Sequence, residues 1–217
     1  IVMKNAFSRR ASYSVWGWSL SLGVLMTISL SAQAGSREQA LRMHDRIAGV
    51  PPTAAVLNSM ASQIDSGNAL AAALQATDDA NFYTVTLKNF ATPWTNREFD
   101  KFAPLNDYTA TVIGMVRDDR DFRQVLSADV LYVGADNLGL PAYSVNDNAH
   151  YVALESGGFN LKTGLEARVQ SSLMGIPSDA TAGVLTSRAA AKAFFFKGTN
   201  RAMFRFTMVN HLCTDLE

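Results

Sequence analysis

Apolar residues in the most regular stretches of this chain return every three or four positions. That spacing restricts the fold more than any other feature. Val56, Leu57, Met60 and Ile64 make one such set, and Tyr108, Val112, Ile113, Met115 and Val116 make another. Residues so spaced share one side of an α-helix, whereas a half-buried strand needs strict alternation. The expected fold class is therefore mainly α, an irregular multi-helix domain with a loop-rich segment in its second half. The 217 residues are 48% hydrophobic and 18% charged, enough apolar material for one core or two small ones.

Glycine, proline and capping residues divide the helical pattern. Ser36 to Ala48 predicts an amphipathic helix with Leu41 and Ile47 on its inner side and Gly49 at its end. Pro51-Pro52 forces an extended turn, because proline donates no backbone hydrogen bond and keeps its predecessor out of the helical region. Thr53 caps the next helix, Ser66-Gly67-Asn68 breaks it, and the alanine-rich Ala69 to Gln75 suits a close helix crossing. Asp78 and Asp79 precede a run bearing Phe82, Val85, Leu87 and Phe90 that closes at Pro93-Trp94. Asn106 caps the strongest periodic segment of the chain.

Asp118-Asp119-Arg120-Asp121 reads as a solvated turn, since the ligand spacing of a calcium loop is missing. A short helix is expected over Phe122 to Ala128, and at most a short strand around Leu131-Gly134. Asn146 or Asp147 caps a helix through Glu155. Residues 35–130 thus form an N-terminal helical part. Residues 131–217 form a loop-rich part that ends in two helices joined at Gly198, the whole being one continuous domain.

The first residues have another character. Lys4, Arg9 and Arg10 precede an apolar run from Val15 to Leu30, and Ala32-Gln33-Ala34 offers a small-x-small cleavage site. Residues 1–34 therefore read as a secretory signal that starts at Met3. The apolar run, about 16 residues, is shorter than the ~20 a bilayer span requires. A periplasmic or secreted protein with no stable membrane span after cleavage is the expectation. Without the signal, 16 basic residues face 19 acidic ones. Such a balance lacks the basic face that displaces counterions from phosphates, so no nucleic-acid partner is expected.

Few residues suggest chemistry. There is one cysteine, and no C-x-x-C-H, H-E-x-x-H, phosphate-loop or G-x-S-x-G pattern. Catalytic residues stay unassigned. His44, His150 and His211 are not brought together by spacing and read as ordinary surface or partly buried histidines; His211 also stands as a candidate haem or metal ligand. Arg188 with Lys192, and Arg201 with Arg205, are basic pairs four residues apart. They can bind a carboxylate, a phosphate or an acidic partner face, or pair with acids of the chain itself. Phe194, Phe195, Phe196, Phe204 and Phe206 read as core rather than as a cofactor box. Cys213 is either buried and inert or a disulfide candidate awaiting a partner.

Four stretches carry a resemblance. They are Arg46 to Thr53, Arg117 to Val133, Asn146 to Tyr151, and Ala182 to Thr186 followed by Thr199-Asn200-Arg201 and Leu212-Cys213. In this order they resemble the helical domains of large secreted proteins, abundant in planctomycetes and found in marine proteobacteria, that are fused to cytochrome c modules. The resemblance implies an exported accessory domain that supports electron transfer or an oxidoreductase partner, with a cytochrome c module in cis or in trans. In that family a C-x-x-C-H haem site commonly follows the last helix. The present sequence ends before one, so a truncated chain is expected, with haem c held by a later segment and no cofactor here. The resemblance transfers no catalytic residue; it leaves Arg188, Arg201, Arg205 and Cys213 as interface candidates. The competing expectation is a non-catalytic extracytoplasmic binding or scaffolding domain for a polymer or envelope protein.

Overall fold

Capping residues set the starts of the second and third helices. The computed structural model describes residues 34–196 and 201–215. In it α1 spans Ser36–Ala48, α2 Ala54–Asp65 and α3 Ala69–Thr77. The Thr53 hydroxyl accepts the N–H of Val56, and the Asn68 side-chain carbonyl accepts that of Ala71. Each satisfies a backbone donor that a helix start leaves open. These helices bury a small cluster of Ala40, Met60, Ala72 and Ala76, where the alanines permit close approach.

The inner face of α1 differs from expectation. Ala40, His44 and Ala48, each four residues from the next, are buried, and Leu41 is 37% exposed. Leu41 lies about 100° round the helix from Ala40 and so falls outside the narrow buried stripe.

The chain then passes through a π-helical segment Phe82–Leu87, the short α4 Lys88–Ala91 and a 3-10 turn Thr92–Thr95. Helix α5, Asp107–Arg117, is the centre of the main core, with every residue from Asp107 to Met115 buried. Around it gather Tyr83, Leu87, Tyr132, Leu154, Phe194 and Phe206. Strand β1, Leu131–Gly134, crosses α5 and pairs antiparallel with β2, Leu165–Arg168, setting Leu131 opposite Arg168 and Gly134 opposite Leu165. All four β1 residues are buried, which removes the alternation that reveals a strand. The close approach needs Gly114, where a Cβ would lie 2.0 Å from the Tyr132 ring.

The second half holds more regular structure than its glycines suggest. It comprises α6 Ala149–Ser156, the single turn α7 Leu161–Gly164, α8 Gln170–Met174, α9 Arg188–Ala190 and α10 Ala202–Leu212. Helix α9 runs directly into a π-helical segment, Ala191–Phe195. Two boundaries move from their expected places. Helix α6 begins after Asn148, because the Asp147 carboxylate takes the Ala149 N–H in a tight turn. The helix expected over Phe122 to Ala128 is a 3-10 turn, Phe122–Leu126. Gly183, at φ 54°, packs so closely on this turn that a Cβ would meet the Val125 carbonyl at 2.0 Å.

The architecture is mainly α with one two-stranded sheet among the described residues. No described helix is long and apolar enough to cross a membrane. The export segment expected in residues 1–34 lies outside the described residues, save Ala34, as does the joint expected at Gly198.

Candidate functional site

Asp107, the first residue of α5, is completely buried and holds the start of α9. One carboxylate oxygen accepts the Arg188 N–H at 2.6 Å and the other accepts the Ala189 N–H at 3.0 Å. The Tyr143 hydroxyl donates to the same group at 3.2 Å. Ser187 caps α9 through its hydroxyl, which accepts the Ala190 N–H. Two helix starts therefore meet at one carboxylate, which suits the partial positive charge there. Burial pushes the Asp107 carboxyl above its ordinary range, against the opposing pull of the Arg188 guanidinium and the two amides. Burial, and then the Asp107 charge, pushes the Tyr143 hydroxyl up.

This anchoring presents Arg188 to a cleft of about 400 Å³. Its walls are the turn before α5, with Thr95, Asn96, Arg97 and Asn106, the start of α6 with Asn148, and the π-helical segment with Lys192. Several of these side chains are held by hydrogen bonds. Asn106 caps α5 through its carbonyl and donates to the Thr95 hydroxyl at 3.1 Å. Asn148 donates to the Leu105 carbonyl at 2.7 Å and accepts from the Arg188 guanidinium. Arg97 donates through Nε to the Ala193 carbonyl at 2.7 Å, tying the turn to the π-helical segment.

Arg188 is itself only 8% exposed, and its Nε has no hydrogen-bond partner among the described residues. An arginine remains charged at any ordinary pH, so a buried donor left open on it costs at least 1 to 3 kcal/mol by order of magnitude. The lining carries three cations, Arg97, Arg188 and Lys192, against one acid, Glu98, with Asp107 behind Arg188. Arg188 and Lys192 also line a second, apolar groove of about 570 Å³ with Val145, Met174, Phe195 and Phe196. The π-helical segment is common to both cavities. Such bulges occur frequently at functional sites, where the widened turn redirects side chains.

The other sequence candidates are scattered. Arg201 stands exposed at the start of α10, and Arg205 pairs with Asp215 at 2.6 Å. Cys213 is exposed at the end of α10, with φ 52°. His211 Nε2 is hydrogen-bonded to the Tyr108 hydroxyl, 2.7 Å away, and its ring meets Trp94 edge-on. Burial holds the His211 imidazole below its ordinary value.

Some expectations are corrected. His44 and His150, expected at the surface or partly buried, are both buried. His44 donates to the Val50 carbonyl at 2.8 Å, and His150 donates to the Pro141 carbonyl at 2.6 Å while accepting the Gly134 N–H at 2.8 Å. Backbone groups arriving from other segments make those interiors habitable for an imidazole. Of the five C-terminal phenylalanines only Phe194 and Phe206 are core, stacked with centroids 4.7 Å apart; Phe195, Phe196 and Phe204 are exposed. The wider π-helical turn places adjacent rings on different sides, and Phe204 and Phe206 lie about 200° apart around α10. Asn96, Asn106 and Asn148 escaped the sequence reading as cleft residues. Their only signal was capping or turn chemistry.

Among the described residues no three His, Cys, Asp or Glu side chains are grouped so as to hold a metal ion. Comparison of the chain with protein-family models, with curated proteins and with solved structures finds no match.

Proposed function

We propose that this chain is a binding domain whose cleft receives a small anionic group on Arg188, with Lys192 as the second cation. The observation that carries this reading is the buried Arg188 Nε, left without a partner among the described residues on a side chain that lines the cleft. Guanidinium N–H groups form a planar fork that matches carboxylate or phosphate oxygens. Asp107 fixes the Arg188 backbone and Asn148 accepts from its guanidinium, so little conformational freedom remains to be lost on binding. The export segment expected in residues 1–34 would place such binding outside the cytoplasm.

Titration calorimetry of the chain with acetate, succinate and inorganic phosphate tests the reading. Saturable binding is expected, weakened several-fold by Lys192→Gln, whose side chain is exposed and leaves the fold intact. Absence of saturable binding by the folded protein at tens of millimolar ligand would sink it.

A second reading follows from the resemblance to cytochrome-linked proteins. In it the domain serves electron transfer beside a cytochrome c module, in cis or in trans. The observation in its favour is that α10 keeps Phe204 and Leu212, two turns apart, each 59% exposed. An absorption spectrum of the natural gene product decides this reading, and the absence of haem bands counts against it.

A further inference from the structure

Resting on the anion-binding reading, we infer that the ligand is an amphipathic monocarboxylate with an unbranched apolar chain. Its head would lie on Arg188 and Lys192 and its chain along the neighbouring groove. The two cavities share those two cations and little else. On one side Asn96, Asn106 and Asn148 are interleaved with Ala103, Pro104 and Val152; on the other the wall is more apolar, with Val145, Met174, Phe195 and Phe196. A ligand that was polar throughout would leave Phe195 and Phe196 as exposed as they are now, 56% and 66%. A ligand with a chain covers them while its charge stays at the boundary. Met174 adds an adaptable thioether to the same wall.

Charge selects the head group. Glu98 and the buried Asp107 offset part of the three cations, and Arg97 already donates to the Ala193 carbonyl. The remaining positive charge matches one negative charge better than the two of a phosphate monoester. The groove, about 570 Å³, falls within the size range of ordinary small-molecule sites.

Calorimetry with butyrate, hexanoate and octanoate, each below its micelle concentration, tests the inference on the whole chain. Octanol and octyl phosphate serve as controls. A fully buried methylene strengthens binding about fourfold, so an open groove should give about two- to fourfold per methylene. Octanoate should bind more tightly than either control. Phe195→Ser, at an exposed position, should flatten the dependence on chain length. Equal binding of butyrate and octanoate would overturn the chain inference while leaving the anion reading standing. Octanol binding as tightly as octanoate, octyl phosphate binding more tightly, or an unchanged slope in Phe195→Ser would overturn it as well. Failure of every carboxylate and of phosphate would remove the anion reading and this inference together.

Discussion

The carboxylate of Asp107 accepts the backbone N–H of Arg188 at 2.6 Å across 81 residues of sequence, so the first turn of α5 holds the first turn of α9. Replacing that carboxylate by an amide turns one acceptor into a donor that faces other donors. Asp107→Asn should therefore destabilise the protein by about 2 to 4 kcal/mol in urea unfolding, since charged hydrogen bonds and stranded buried groups are both involved. Tyr143→Phe removes a single donor and should cost about 1 kcal/mol. An Asp107→Asn protein with an unchanged midpoint would show that other contacts hold the two helices.

Gly114 offers a test in which local and tertiary terms have opposite signs. Helix propensity alone predicts that Gly114→Ala stabilises by about 1 kcal/mol. The new methyl group would, however, fall within the Tyr132 ring at 2.0 Å. Overpacking of this kind costs about 1 to 3 kcal/mol, so net destabilisation is expected. Tyr132→Ala opens the space, and the double variant should lose less than the sum of the two single changes.

Docking of α10 should depend on pH through His211. Nε2 is hydrogen-bonded to the Tyr108 hydroxyl, and burial lowers the affinity of that ring for a proton. In the unfolded chain the ring titrates near its ordinary value of about 6.5. Above that pH both states are neutral and the docking contribution is complete. As pH falls below it, the unfolded state takes up the proton first, and stability is lost until the pH passes the lowered folded value. Thermal midpoints measured between pH 8 and pH 4.5 should show this loss, and His211→Gln should flatten that part of the profile.

Asn148 links the cleft to the core, since it accepts from Arg188 and donates to the Leu105 carbonyl. Asn148→Ala strands another guanidinium donor and the Leu105 carbonyl, which should lower stability by about 1 to 3 kcal/mol. Added carboxylate should raise the thermal midpoint of the native protein, because a ligand that binds only the folded state stabilises it by mass action. The same addition should raise the Asn148→Ala midpoint less.

Much of the helical framework could be read from local chemistry. Thr53 and Asn106 each cap the helix they were expected to cap, and Asn68, read only as part of a break, caps α3. The reading weakened where a boundary depends on competition between neighbours, as at α6, whose preceding turn engages Asp147 and leaves Asn148 to start the helix. Strand β2 went unread because only its partner β1, more than thirty residues earlier, makes Leu165–Arg168 a strand.

For the cleft the division is sharper. Sequence named Arg188 and Lys192 as a basic pair and offered both an anion ligand and the chain's own acids as partners. Only the folded chain decided that Arg188 is buried, with Asp107 on its backbone, Asn148 on its guanidinium and its Nε unpaired among the described residues. By itself the sequence determined the helical class and the starts of α2, α3 and α5, because apolar spacing and capping act within a few residues. Tertiary structure decided which histidines are interior, which phenylalanines are exposed and where the cations converge. Burial is set by whatever element arrives from elsewhere in the chain, and no local pattern records that arrival.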